Sequence, residues 1–198
     1  MRMGGAKQAL KGADFSKSIE YINEVKRIVN SEFNKIEEDL LREFNNHPVT
    51  KEIESGVDSL NSSGTLGGVG NLFTFIGFER NDRPIDAIRS AFNAIRLTST
   101  MVKRNGDSQT YIMYPSASDI FKITPLPWAE GRSWAKGIES GLPGLGKFLH
   151  TESDVSRSGE GIQTNKNIRS AKFSNTKYIS SIINQFEIDI KKINLKKI

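Results

Sequence analysis

From Asn61 to Phe78 the chain reads Asn-Ser-Ser-Gly-Thr-Leu-Gly-Gly-Val-Gly-Asn-Leu-Phe-Thr-Phe-Ile-Gly-Phe. Gly64, Gly67, Gly68, Gly70 and Gly77 alternate with Leu66, Leu72, Phe73, Phe75, Ile76 and Phe78. Glycine permits backbone conformations and close approaches that other residues resist. Each large apolar side chain gains roughly 1.5–3 kcal/mol when it is removed from water. A flexible linker would have the glycines without the phenylalanines. The segment is therefore expected to fold tightly against protein, either the chain's own core or a neighbouring subunit.

A long amphipathic pattern precedes it. Phe15, Ile19, Ile22, Val29, Phe33, Ile36, Leu40 and Phe44 recur at spacings of 4, 3, 7, 4, 3, 4 and 4 residues, and only Lys26 interrupts the stripe. This periodicity predicts a helix of about eight turns, with Asp14 or Ser16 as its cap. Glu20, Glu24, Lys35, Glu38 and Arg42 form the charged face, and Asn45-Asn46-His47-Pro48 ends the pattern, because proline cannot continue the hydrogen-bond ladder. A helix of this length needs a long partner surface, supplied by a bundle within the chain or by another subunit. Residues 1–13 are small and polar and are expected to form a flexible arm.

After a short helix over 49–55, a second helix is predicted from Asp82-Arg83-Pro84 to about Ile95, with Pro84 in its first turn. The strongest strand signal follows. Leu97–Arg104 and Gln109–Tyr114 flank Asn105-Gly106-Asp107-Ser108, and Asn-Gly is a favoured hairpin turn. Asp119–Leu126 is expected to add a third strand that ends at the prolines. The middle of the chain is thus read as a small antiparallel sheet with the second helix packed on it. Trp128–His150 again mixes glycine with bulky apolar residues, with one short helix near Ser133–Ser140. Thr151–Ser174 is expected to be an extended loop. A last helix is expected from about Asn175, with Ile179, Ile182, Ile183, Phe186, Ile190 and Ile193 on one face. The fold class expected is α+β: a single domain over 14–198 that contains the Gly-rich segment 61–78 and a basic C-terminal extension, 151–198.

Charge and composition narrow the function. The formal net charge is +5, but residues 164–198 hold eight Lys/Arg against Glu187 and Asp189. That segment therefore carries +6 and the rest of the chain −1. Such a segment suits nucleic acid, an anionic surface or an acidic protein face, or serves to keep the chain in solution. Arg157, Lys166, Arg169 and Lys172 are the expected anion contacts, with Phe173 and Tyr178 as the nearby aromatics. There is no cysteine, hence no disulfide, thiol nucleophile or Cys-based zinc site, and a cytosolic origin fits. The sequence contains no apolar run near the about 18 residues of a membrane span, and Met1–Leu10 lacks the apolar stretch of a secretory leader.

Catalytic motifs are not evident. His47 and His150 have no carboxylate pair at ligand spacing, whereas a metal site needs three or four converging ligands. His47, before Pro48, reads as a helix-terminus residue. There is no Gly-x-Ser-x-Gly elbow, and Gly67-Gly68-Val69-Gly70 lacks the Lys-Ser/Thr of a phosphate loop. Neither an enzyme nor a cofactor is expected. Glu37, Glu38 and Asp39 read as a solvated helix face.

Three pieces carry a family resemblance: His47-Pro48-Val49-Thr50 with Glu52-Ile53; Ser62–Phe78; and Gly131-Arg132-Ser133-Trp134 running through Gly144-Leu145-Gly146 to Ser156-Arg157-Ser158-Gly159 with Ile162-Gln163. Across residues 45–165 the chain resembles small virion structural proteins of contractile-tailed bacteriophages, in layout the head–tail joining (neck) and tail-completion proteins. The resemblance implies a ring-forming homo-oligomer that contacts other virion proteins, with no catalytic residues, made in the host cytoplasm and located in the virion. In that setting Leu72, Phe73, Phe75, Phe78, Trp128 and Trp134 are the expected packing or interface residues, and the basic segment is a candidate for non-specific DNA contact. The alternative is a freestanding basic nucleic-acid-binding protein.

Overall fold

The computed structural model describes residues 14–66, 70–141, 148–149, 162–163 and 173–195. The expected arm 1–13 and most of the loop expected over 151–174 lie outside the described residues. In chain order the elements are α1 (Ile19–Asn46), α2 (Pro48–Glu54), α3 (Leu72–Ile76), α4 (Pro84–Asn93), β1 (Arg96–Val102), β2 (Ser108–Met113), α5 (Ala117–Lys122), β3 (Pro125–Leu126), β4 (Ala129–Ser133), α6 (Trp134–Ser140), β5 (Phe148–Leu149), β6 (Ile162–Gln163) and α7 (Ile179–Leu195). The strands form three separate antiparallel pairs, β1–β2, β3–β4 and β5–β6. The fold is α+β, with the long N-terminal helix and the closing helix that the periodicities predicted. No helix among the described residues is long and apolar enough to cross a membrane.

The chain divides into two compact units, each discontinuous in sequence. The first gathers the described residues up to Asp39, Ile95–Tyr114 and the chain from Gln185; the second gathers Leu40–Ala94 and the described residues of Pro115–Asn184. The boundaries cut α1 between Asp39 and Leu40 and α7 between Asn184 and Gln185. No linker marks them, so composition had nothing to reveal. α4 belongs to the second unit and the hairpin to the first.

In the first unit, Val25, Val29 and Phe33 of α1 and Phe186 and Ile193 of α7 are buried. Asp14 caps a single 3-10 turn, accepting from the Ser16 N–H, while Ser18 Oγ accepts from Tyr21 N at 3.3 Å at the start of α1. The expected cap thus belongs to the turn before the helix. Tyr21 Oη donates to Gly106 O at 2.8 Å, the Phe15 ring lies tilted against Tyr21 with centroids 4.9 Å apart, and Phe15 N donates to Arg104 O at 3.2 Å. These contacts fasten the tip of the hairpin to the start of α1. The Asn-Gly pair is not the centre of a two-residue turn. Gly106 N donates to Lys103 O (3.0 Å) and Lys103 N to Asp107 O (2.8 Å), leaving a three-residue loop with Gly106 at φ 88°. That is the type I turn followed by a left-handed bulge residue, so glycine sits where φ is positive. A Cβ at Gly106 would also meet Tyr21 Oη at 3.0 Å.

The second unit encloses the largest side chains. Phe92 meets Phe44 edge-on at 5.1 Å, Phe44 stacks on Tyr178 at 6.3 Å, Tyr178 neighbours Trp134 at 6.4 Å, Trp134 meets Phe78 edge-on at 5.8 Å, and Phe78 neighbours Phe73 at 5.3 Å. This file of rings joins α4, α1, the residue before α7, α6 and α3 through one core. Arg89 ties three helices at its rim, donating to Asn45 Oδ1 (3.2 Å), Glu54 Oε1 (2.7 Å) and Asp86 Oδ1 (3.1 Å). The first half of the third strand expected over Asp119–Leu126 belongs to helix α5, and only Pro125–Leu126 is extended. Ser116 and Asp119 form a reciprocal capping box, and satisfying the first amides of a helix outweighs the weak strand signal of Ile120-Phe121. Hydrogen bonds from Lys122 and then Ser116 hold the Asp119 carboxyl pKa down at about 2.

Candidate functional site

The Gly-rich segment is anchored by one buried carboxylate. α2 starts at Pro48 behind His47, which caps it by accepting from Val49 N at 3.3 Å. Its inward face carries Val49, Ile53 and, between them, Glu52, fully buried. Glu52 Oε2 accepts from Ser63 N (2.7 Å) and Oε1 from Leu72 N (2.8 Å). One side chain therefore holds both ends of the segment 63–72. Asn71 completes the closure: its Nδ2 donates to Val57 O (2.9 Å) and Ser59 O (3.0 Å), and its Oδ1 accepts from Thr74 N (2.9 Å) to cap α3.

Thr65 and Leu66 then dock on the stretch before α7. Ser174 N donates to Thr65 O at 2.8 Å, Thr65 and Thr176 share a hydroxyl hydrogen bond at 3.0 Å, and Leu66 forms a bridge with Phe173. α3 ends at Gly77, whose φ of 87° is left-handed. A Cβ there would meet Trp128 Cδ1 at 3.2 Å, and Trp128 Nε1 donates to Ile76 O at 2.7 Å. Glycine thus meets two demands at once, a left-handed turn and the seat for an indole.

Of the six residues expected at packing or interface positions, five pack inside the chain. Leu72, Phe73, Phe75, Phe78 and Trp134 are buried inside their own unit. They are core, because α3 turns every one of its side chains inward. Trp128, 37% exposed, is the one of the six that reaches the surface, and it is hydrogen-bonded to its own chain. Tyr178, expected beside the basic residues, is fully buried and bonded to Thr50 Oγ1 at 2.9 Å, so it offers no stacking face; burial pushes its hydroxyl pKa far up. Phe173 is half-buried against Phe75, centroids 5.7 Å apart. Arg157, Lys166, Arg169 and Lys172 lie outside the described residues.

Large apolar side chains are exposed singly at Ile19, Leu60, Ile123 and Ile188, and three more, Met101, Tyr111 and Met113, share the β1–β2 hairpin. No residue of either strand is fully buried. One face carries the half-buried Leu97, Thr100, Val102, Ser108, Thr110 and Ile112. The other carries Met101 (58% exposed), Tyr111 (44%) and Met113 (53%), with Arg96 and Gln109. Arg96 Nη2 reaches Met113 Sδ at 3.5 Å, and Thr98 Oγ1 donates to Tyr111 O at 2.9 Å. Beside β2, Tyr114 meets Phe186 edge-on at 5.5 Å and donates to Glu187 at 3.3 Å.

The alternation in Gln109–Met113 was legible as a strand, but not the face that stays open. Glu52 gave no comparable signal, since the amides it accepts from lie 11 and 20 residues further along the chain. Comparison with protein-family models, curated protein sequences and solved structures finds no match to this chain.

Proposed function

We propose that this chain is a structural subunit that works by assembly, in the manner of the ring-forming neck and tail-completion proteins of contractile-tailed phages that its sequence resembles. The observation that carries the reading is the outer face of the hairpin. Met101, Tyr111 and Met113 stand exposed on a two-stranded sheet, and a two-stranded sheet is marginal until something covers it. Partner protein is the simplest cover, and interfaces favour tyrosine, methionine and arginine. In this reading the Gly/aromatic segment gives the subunit its rigid body and the hairpin grips neighbours.

Complementation tests it. A phage lacking the chain, supplied with Tyr111→Asp/Met113→Asp, is expected to accumulate unjoined heads and tails, with the variant folded but absent from particles. Normal particles containing the variant would sink the hairpin's role.

The basic stretch 164–198, with its net +6, favours a second reading, non-specific binding to nucleic acid. Titration with duplex DNA over a salt series separates the two. Affinity that falls steeply with salt supports nucleic-acid binding, and no binding by the isolated chain leaves assembly.

A further inference from the structure

The two edges of the hairpin differ. β1 has a bulge between Leu97 and Ser99 and begins with Arg96. Bulges and edge charges are how sheets keep strangers from pairing. β2 has neither. Ser108–Met113 reads Ser-Gln-Thr-Tyr-Ile-Met, six residues without charge, glycine or proline, in regular register with β1 from Ser108 to Tyr111.

Its free edge follows from the ladder. Lys103 N bonds Asp107 O, and in an antiparallel pair hydrogen-bonded positions alternate. Gln109 and Tyr111 therefore spend their backbone groups on β1, while Ser108, Thr110 and Ile112 turn theirs outward. Among the described residues nothing hydrogen-bonds to those outward groups.

We propose that β2 is a pairing edge and that its occupant is β2 of a second copy, antiparallel across a two-fold axis near Thr110. This rests on the assembly reading and names the partner. The argument for self-pairing is charge. Two-fold pairing sets a strand against its own reverse, so any charge near the axis meets its like. β2 carries none, whereas β1 would bring two Arg96 side chains onto one shared face. With Thr110 opposite Thr110, Ser108 meets Ile112 of the second copy, and the outward groups close up to about six ladder hydrogen bonds. On the exposed face Tyr111 lies opposite Gln109 of the second copy, and a four-stranded sheet replaces two marginal hairpins. A six-residue edge is small against the roughly 1,200 Å² of a stable interface, so the dimer is concentration-dependent.

The experiment is sedimentation of the full chain over a concentration series, with amide hydrogen exchange at each concentration. The expected result is a mass rising toward the dimer, with amides of Ser108, Thr110 and Ile112 gaining protection in step. Gln109→Lys/Tyr111→Lys places lysines face to face across the axis and is expected to stay monomeric with an unchanged far-UV spectrum. A monomer at every concentration, a dimer that leaves those three amides unprotected, or a lysine variant that dimerises like the parent overturns the proposal. The exchange measurement needs no variant, so it decides even if the lysines unfold the hairpin. A monomer that still enters phage particles would overturn β2 pairing and leave the assembly reading standing.

Discussion

The segment 61–78 and the hairpin 96–113 are both rich in large apolar residues, and the chain treats them oppositely. In the first, Leu72, Phe73, Phe75, Ile76 and Phe78 are enclosed. In the second, no side chain is fully buried and Met101, Tyr111 and Met113 face out. The difference is geometric. α3 is five residues long and sits inside a fold that surrounds it, with Glu52 and Asn71 satisfying its first amides. A strand presents alternate residues to opposite sides, and the hairpin has a packed helix start at its tip but an uncovered outer face. Apolar content alone does not say which surface is offered to a partner; the period of the element does.

The comparison breaks most visibly if the core side is cut. Phe73→Ala removes a ring in contact with Phe78 from a fully buried site, and is expected to cost about 3–5 kcal/mol. Urea denaturation measures this, and a loss below about 1 kcal/mol would mean that α3 is not the core element described.

Glu52→Ala comes next. It strands the amides of Ser63 and Leu72, the second fully buried, at about 1–3 kcal/mol for each unsatisfied group. Exchange of those two amides is expected to quicken more than that of α4. Glu52→Gln retains one acceptor and turns an amide against the other N–H, so it should fall between wild type and alanine.

Smaller is the pH effect at His47. Its Nε2–H donates to Lys177 O at 3.1 Å while Nδ1 accepts from Val49 N, so the folded state needs the neutral ring. Burial lowers its pKa below the ordinary 6.5, against smaller opposing effects from the Lys177 carbonyl and Glu139. A lowered folded pKa means that the unfolded chain binds the proton more tightly. The contribution is therefore complete above about 6.5 and declines as pH falls from there through the folded pKa. Denaturation midpoints at neutral and mildly acid pH should differ by less in His47→Asn, which keeps a capping side chain without titrating.

How much of this was legible follows from where the information lay. Local periodicity located α1, α4 and α7, and short helices were expected near 49–55 and Ser133–Ser140; His47-Pro48, read as the end of the first helix, also starts the next, with His47 as its cap. The strand expected at Asp119 failed on Ser116-Ala117-Ser118-Asp119, a capping box also present in the sequence. Glu52 serving both ends of a segment beginning eleven residues later, and the units that share α1 and α7, depend on tertiary pairing that no local pattern encodes. The aromatics of 72–78 signalled burial correctly without saying by whom.

The smallest effect sharpens the contrast most. Tyr111 is exposed and its hydroxyl has no hydrogen bond among the described residues, while its backbone carbonyl, which accepts from Thr98, survives any side-chain change. Tyr111→Ser therefore leaves the fold's contacts nearly intact, and its stability is expected within about 0.5 kcal/mol of wild type. Phe73 and Tyr111 are similar in size and both aromatic, so equal losses on truncation would erase the distinction between the two regions. A near-zero loss at Tyr111, beside a large one at Phe73, means that the residue does little for the isolated chain, and a tyrosine held in water beside two methionines is then left to be explained by what it touches outside it.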